Sequence, residues 1–376
     1  MLNRRCPRCQ ANYASPARFC TRDGSPLVEV APGDRPTVPT PHLASPSETP
    51  PPPAAPAAGA VARSADITQP PSPSELADRQ RYSTLSGQDL DGRYRIVRKV
   101  GEGGMSFVYQ GEDLENGQTV AIKVLTPRLS RDPPSVERLK REASIAMRLK
   151  HPNVCPILRV GHTGEGMLYL VMPYLPGEAL SEYETRRGQL PVEEGVAILA
   201  QVCRGLQHAH DLGIIHRDLK PENVMLVPDA REKNGFRAVV MDFGLAKQRR
   251  AGPDVAKLTQ TGIVLGTPEF MSPEQIRGKP LDGRSDIYAI GVLAFEMFTA
   301  QLPFSGRSAQ ETMLARLKGA PTPIREVRPD LPPRLEAVIT RALSLQPADR
   351  PGTMDELAFA FEAVTQGGVL SRLFGK

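Results

Sequence analysis

The run Ile214-Ile215-His216-Arg217-Asp218-Leu219-Lys220-Pro221-Glu222-Asn223-Val224-Met225-Leu226 sets a carboxylate, an ammonium and a carboxamide on one short loop between apolar, strand-like residues. Asp218 can accept or orient the proton of an attacking hydroxyl, and Lys220 can neutralise charge on the group being transferred. Asn223 offers a carbonyl oxygen, the kind of donor that hard divalent cations prefer. Together these are the parts needed to move a phosphoryl group onto an alcohol. Asp242-Phe243-Gly244, after the apolar run 238–241, adds a second carboxylate for the metal. Upstream, Val120-Ala121-Ile122-Lys123 places one lysine in an apolar strand pattern, where an isolated ammonium loses its hydration at high cost unless it is paired.

Several elements must hold these groups in place. Residues 94–100 alternate as a strand and run straight into Gly101-Glu102-Gly103-Gly104-Met105-Ser106-Phe107-Val108-Tyr109. Gly101 and Gly103 let backbone N–H groups come close to phosphate oxygens, although such a loop alone is a weak signal and is often only a tight turn. Glu115-Asn116-Gly117 turns the chain back into the Lys123 strand. Residues 135–150 carry Val136, Leu139, Ala143 and either Ala146 or Met147 at helical spacing. Glu142 lies beside that face and is the expected partner of Lys123, against the simpler reading of a solvated charge. Residues 168–177 read as a strand that leaves a small lobe and enters a linker.

Lys123, Glu142, the 216–223 loop and Asp242-Phe243-Gly244, in this order and spacing, resemble the signature set of protein kinases. The chain is similar to the eukaryotic-like bacterial Ser/Thr protein kinases over residues 94–364. That resemblance implies an α+β, two-lobed fold with a β-rich N-lobe and a helical C-lobe. It also implies ATP and Mg2+ (or Mn2+) as cofactors, with the γ-phosphoryl group passing to protein Ser or Thr. By the same resemblance, Lys123 contacts the α- and β-phosphates and Glu142 holds it there. The stretch Val100, Gly101, Glu102, Gly103, Gly104, Met105, Ser106, Phe107 and Val108 covers the nucleotide, with Ser106 standing where the family has its third glycine. Val108, Ala121 and Met225 sandwich the base, the Tyr174 and Leu175 backbone binds adenine, and Met172 limits the pocket's depth. Asn223 and Asp242 hold the metal. Lys220, two residues after Asp218, resembles the Ser/Thr class.

Between Gly244 and Ser272-Pro273-Glu274 lies a polar segment with Thr259, Thr261 and Thr267. Autophosphorylation is expected at Thr259 and Thr261, where an added phosphate could pair with Arg217; simple loop polarity is the competing reading. Thr267 matches the family position whose hydroxyl meets the catalytic Asp and Lys. The resemblance further implies that Asp286 braces the catalytic loop and that Glu274 pairs with Arg350. His151, His208 and His210 show no metal-like arrangement and are expected to be structural. Two rival classes remain, a catalytically silent scaffold and a small-molecule kinase. Intact Lys123, Asp218, Asn223 and Asp242 argue against the first, and the Thr267 and 272–274 segments disfavour the second.

The chain has 376 residues, 40% hydrophobic and 24% charged, enough for a large domain with appendages. A net charge of +5 is weak ground for a nucleic-acid partner, and none is expected. No export signal is visible, and the most apolar run, 287–295, is about half the ~20 residues that a membrane span needs. Relatives of this type often carry a span after the kinase domain and this sequence ends at Lys376, so a cytoplasmic enzyme is expected. Cys6, Cys9 and Cys20 fall in the first 20 residues, with Asp23 where a closing cysteine would stand. In an unexported chain this resembles a short zinc ribbon at 1–30, with Zn2+ on Cys6, Cys9, Cys20 and Asp23. Three free thiols are the alternative. Residues 31–89 are rich in Pro, Ala and Ser and read as a disordered linker. The kinase domain is placed at 90–365 and a tail at 366–376. Protein substrates with Ser/Thr are the expected partners, and a second copy or another protein at the ribbon is left open.

Overall fold

Two units divide the chain, Met1–Ala62 and Arg63–Lys376. The computed structural model describes residues 3–5, 12–14, 28–29, 85–103, 106–126, 133–163, 166–243, 268–306 and 308–374. In the first unit β1 (Asn3–Arg5), β2 (Asn12–Ala14) and β3 (Val28–Glu29) form an antiparallel sheet in the order β2-β1-β3. Cys6, Cys9, Cys20, Asp23 and the proline-rich stretch 31–84 lie outside the described residues.

The alternation that begins at Tyr94 becomes a six-stranded antiparallel sheet in the second unit. It comprises β4 (Asp89–Leu90), β5 (Tyr94–Glu102), β6 (Ser106–Asp113), β7 (Gln118–Leu125), β8 (Arg159–His162) and β9 (Leu168–Pro173), in the order β4-β5-β6-β7-β9-β8. Successive strand residues point to opposite faces. Phe107, Tyr109, Val120, Ile122, Val124, Tyr169 and Val171 therefore share one face and build the small-lobe core with Tyr94 and Ile96. Their neighbours Val108, Ala121, Lys123 and Met172 face the other way and are only partly buried. Leu85 joins this core, so packing begins a few residues before the boundary at 89/90 that proline content suggests. The turn between β6 and β7 uses Gly117 at φ 68°, as the Asn116-Gly117 pair predicts.

Helix α1 (Pro133–Ala146) is shorter than the periodicity over 135–150. Ala143 and Ala146 are buried while Met147 is 40% exposed, which settles the apolar stripe on Ala146. After α1, Asn153 ties the small lobe's descending chain to the large lobe. Its carbonyl accepts from the Val240 N–H at 2.9 Å, and its Nδ2 donates to the Ala238 carbonyl at 2.8 Å.

The large lobe is helical around a small sheet of β10 (Glu178–Ala179), β11 (Val224–Pro228) and β12 (Phe236–Val240). Its helices are α2 (Leu180–Arg187), α3 (Val192–Asp211), α4 (Pro273–Ile276), α5 (Arg284–Thr299), α6 (Ala309–Lys318), α7 (Ile324–Val327), α8 (Pro333–Ala342) and α9 (Met354–Phe374). Every residue of α5 from Ser285 to Thr299 except Glu296 is buried, the expected fate of a helix that is apolar all round. Among the described residues no helix is long and apolar enough to cross a membrane. α9 continues to Phe374, so the stretch placed as a tail at 366–376 is helical as far as that residue.

Glu274 and Arg350 pair as expected. Arg350 Nη1 and Nη2 donate to Glu274 Oε1 and Oε2 at 2.7 and 2.8 Å, and Ser285 Oγ donates to the same Oε1 at 2.7 Å. The two charged side chains are 0% and 6% exposed. The two-lobed architecture implied by the motif order is therefore realised, with a curled sheet above a helical lobe.

Candidate active site

The β11–β12 ladder brings the 216–223 loop beside the second carboxylate. Val224 pairs with Val240, so Asn223 and Met241 are the next residues out, and the Met241 N–H donates to the Asn223 carbonyl at 2.8 Å. Asn223 Nδ2 donates to the Asp218 carbonyl at 2.7 Å. His216, fully buried, joins both segments. Its Nδ1 accepts from the Asp218 N–H at 3.3 Å, and its Nε2 lies 2.8 Å from the Met241 carbonyl. A neutral imidazole that accepts at Nδ1 carries its proton on Nε2, so the second contact is a donation.

Asp286, at the start of α5, braces the loop from below. Its carboxylate accepts from the His216 and Arg217 N–H groups at 2.8 and 2.9 Å and meets His210 Nε2 at 2.8 Å. Burial, the largest influence, pushes this carboxyl up, but the His210 contact and the His216 N–H more than offset it, holding the group below its usual range. Arg217 and Asp242 take left-handed backbones at φ 64° and 58°. Non-glycine residues adopt this region at a cost, and such strain gathers at functional sites.

Lys123 Nζ stands 2.7 Å from Asp242 Oδ1. The strand lysine is thus paired, as the cost of an isolated ammonium demands. Burial again works to raise the Asp242 carboxyl, and the Lys123 charge and hydrogen bond, with His216 and Lys220, bring it below the ordinary value. The Glu142 side chain lies outside the described residues, as do Gly104, Met105, Gly244, Thr259, Thr261 and Thr267.

The strand register gathers the remaining expected residues. Gly101 pairs with Val108, Val108 with Lys123, and Ala121 with Met172 across β5, β6, β7 and β9, which sets Val108, Ala121, Lys123 and Met172 on one face. Met172, Leu175 and Met225 pack together against Cys155, Val227 and Val239, so a wall from each lobe meets at the linker. The Tyr174 N–H donates to the Thr119 carbonyl at 3.4 Å. Phe107 turns into the small-lobe core and leaves only its backbone for a ligand, while Val100 is 40% exposed and Glu102 pairs with Lys99 at 2.8 Å.

The family model described as protein kinase domain matches residues 94–361. The chain belongs to the protein kinase family. Serine/threonine-protein kinase pkn3 of Myxococcus xanthus is 41% identical over 282 residues, which cover 74% of this chain and 51% of that protein. PknA of Mycobacterium tuberculosis is 36% identical over 285 residues, 75% of this chain and 63% of its own length. The crystal structure of the Mycobacterium tuberculosis PknI kinase domain superposes with a TM-score of 0.59 at 31% identity, over 74% of this chain and 98% of that one. The chain thus spans about half the length of pkn3 and somewhat more of PknA.

Two features of this chain were not visible in its sequence. Gln275 caps α4, accepting from the Ser272 N–H at 2.8 Å, and its Nε2 donates to the Arg217 carbonyl at 2.9 Å, tying that helix to the catalytic loop. The Ser272-x-x-Gln275 spacing is a capping-box pattern that marks the helix start, but nothing local marks the reach to Arg217. The second is a group of carboxylates beside the loop: Glu184 of α2, Glu222, Glu269 and Glu296 of α5. Glu184 Oε1, Glu269 Oε2 and Glu296 Oε2 are buried with no hydrogen-bond partner among the described residues.

Burial first, then repulsion from Glu296 and Glu222, pushes the Glu184 carboxyl up to about 8. Burial with Glu222 and Glu269 pushes Glu296 to about 7. An acid raised in the folded state keeps its proton there while the unfolded chain, near 4.5, has released it. Stability is therefore lost as pH climbs from 4.5 to about 8, and the penalty is complete above that. Glu184→Gln should raise Tm at pH 8.5 by roughly 2–4 °C, the shift that about 1 kcal/mol makes in a domain of this size, and should leave Tm at pH 5 nearly unchanged. Equal shifts at both pH values would show that the gain is not the relief of a buried charge.

Proposed function

We propose that the protein transfers the γ-phosphoryl group of ATP to Ser and Thr hydroxyls of proteins. The observation that carries this reading is the way Lys123, Asp242, Asn223 and Asp218 are brought together, through the Lys123 to Asp242 contact of 2.7 Å, the Met241 N–H bond to the Asn223 carbonyl of 2.8 Å and the Asn223 bond to the Asp218 carbonyl of 2.7 Å. The residues present fit ATP and Mg2+ (or Mn2+). A Cβ on Gly101 would meet Val108 Cβ at 3.6 Å, and one on Gly103 would meet the Ser106 carbonyl at 3.7 Å, both ordinary contacts, and neither glycine is left-handed. The fold's own packing does not require glycine at these positions, whereas a phosphate drawn against the backbone does.

When bound, ATP supplies the phosphoryl group and the metal neutralises its charge. Asn223, whose Nδ2 is spent on the Asp218 carbonyl, would offer its carboxamide oxygen to the metal, and the Asp242 carboxylate would be the other ligand. Lys123, oriented by Glu142, takes the α- and β-phosphate oxygens. Val108, Ala121 and Met225 enclose the base, Met172 closes the pocket, and the Tyr174 and Leu175 backbone reads the adenine edge. Asp218 orients the acceptor hydroxyl and receives its proton, Lys220 balances charge on the group in transit, and Thr267 aligns the acceptor. Phosphate added to Thr259 and Thr261 would pair with Arg217 and order the segment.

Incubation with γ-labelled ATP and Mg2+, followed by phosphopeptide mapping, tests this directly. Label is expected on Ser or Thr of added peptides and on Thr259 and Thr261. No labelled phosphoserine or phosphothreonine anywhere would overturn the kinase reading in favour of a silent scaffold. Full activity with both threonines unmodified would remove only the autophosphorylation.

Cys6, Cys9, Cys20 and Asp23 are proposed to hold one Zn2+ in the amino-terminal unit, since thiolate and carboxylate are both established zinc donors. Elemental analysis of the full chain, dialysed under reducing conditions, should find one equivalent that is lost in a Cys6→Ser, Cys9→Ser variant. No zinc in the parent protein would dispose of the ribbon.

A further inference from the structure

Helix α6 buries a guanidinium. Arg316 is 1% exposed, among the largest fully buried side chains of the described residues. Its Nη1 donates to the Met271 carbonyl at 3.2 Å and its Nη2 to the Glu269 carbonyl at 2.6 Å, and the group lies 5.6 Å over the Phe304 ring. Arg350, buried as deeply, sits in the bidentate grip of Glu274. These two Arg316 donors go instead to main-chain oxygens of one short segment. Burial lowers its proton affinity, partly countered by Tyr288 and Glu269.

A buried cation is a costly way to fill space, and an apolar side chain of similar volume is often as stable or more so. What methionine could not do is fix two carbonyls at once, which the planar fork of arginine does. The segment it holds is the approach to the catalytic loop. Phe270, Met271 and Gln275 line a recess together with Asp218. Gln275 secures the far end of that segment to the Arg217 carbonyl, and Arg277 Nη2 donates back to the Leu317 carbonyl of α6 at 3.2 Å. The wall facing Asp218 is therefore held by the catalytic loop at one end and by α6 at the other.

We infer that Arg316 is a positioning residue for the protein substrate, setting the orientation of residues 269–271 against which the acceptor chain lies beside Asp218. The inference rests on the kinase reading above and adds to it a specific dependence of acceptor binding on α6. The two Arg316 hydrogen bonds go to the carbonyls of residues 269 and 271 and not to the nucleotide-binding strands or the metal ligands, so its loss should separate acceptor binding from ATP use.

The experiment compares the full chain with Arg316→Met and Arg316→Lys, using the wild type's best single-threonine peptide from an arrayed library. For Arg316→Met the peptide KM should rise about tenfold, with kcat and the ATP KM within about twofold and Tm not lowered. Hydrogen exchange at the amides of 268–276 should quicken. Arg316→Lys, which keeps the charge without the fork, should fall between. An unchanged peptide KM in both variants, or kcat and ATP KM worsening in step with a falling Tm, would overturn the inference. Should Arg316→Met fail to fold, Arg316→Lys decides by the same split. If the wild type phosphorylates no Ser or Thr acceptor, the kinase reading fails on its own, and unchanged exchange at 268–276 would then still defeat the role given to Arg316.

Discussion

Asp218→Asn should lower kcat for phosphoryl transfer by about 10²–10⁴-fold, the range that a positioned proton acceptor contributes, while the protein stays folded. The substitution keeps the side chain's shape and removes only the anion. Two anchors of the loop at this residue are made by its backbone and not by that anion. The Asp218 N–H donates to His216 Nδ1, and its carbonyl accepts from Asn223 Nδ2, so both backbone anchors survive. Asp286 still grips the His216 and Arg217 N–H groups. Lys123 and Asp242 are untouched, so the ATP KM should change little. Initial rates with labelled ATP, read beside thermal melts, check this. A variant retaining more than about a third of wild-type kcat would remove Asp218 from proton acceptance. A large drop in Tm would instead make it a structural residue.

The second large effect is on stability. Arg350→Ala leaves the Glu274 carboxylate, 6% exposed, without its cation, and breaking one side of a buried pair costs roughly 3–5 kcal/mol. Arg350 also donates to the Arg284 and Ser344 carbonyls at 2.7 and 2.9 Å, so the loss spreads to the start of α5 and to the loop after α8. In a domain of this size that cost corresponds to a fall in Tm on the order of 10 °C. Activity should fall with it, because Glu274 neighbours Gln275, and Ser285, which donates to Glu274, neighbours Asp286. Replacing both partners by apolar residues, Arg350→Met with Glu274→Leu, should recover most of the stability, since no buried charge is then left alone. A single variant that melts within about 2 °C of the parent would show that the pair does not hold the lobe together.

The family motifs were legible because they are written locally. Asp218, Lys220 and Asn223 share one loop, and the alternation of Val108, Ala121 and Lys123 against Phe107, Tyr109 and Ile122 assigns cleft and core faces without reference to the rest of the molecule. The same holds for α5, whose unbroken apolar run has nowhere to lie but inside. Boundaries were less legible. Proline content places the domain's start near 89 or 90, but Leu85 packs into the core, because one apolar side chain can be recruited from an otherwise polar stretch by a surface that sequence does not reveal.

What sequence alone determined is the inventory: which kinase-family motifs are present, which strand face leaves the small-lobe core, which helix is buried. What the tertiary structure decided is who meets whom. Lys123 contacts Asp242, far along the chain, at 2.7 Å, a meeting of two separate motifs that neither stretch announces by itself. His210, expected only to be structural, pairs with Asp286, and Arg316 and Gln275 reach carbonyls that no local pattern announces. The physical reason is that periodicity reports only a residue's face on its own element. The partner of a buried charge is set by how separate elements stack, and the cost of leaving that charge alone selects the contact once they have.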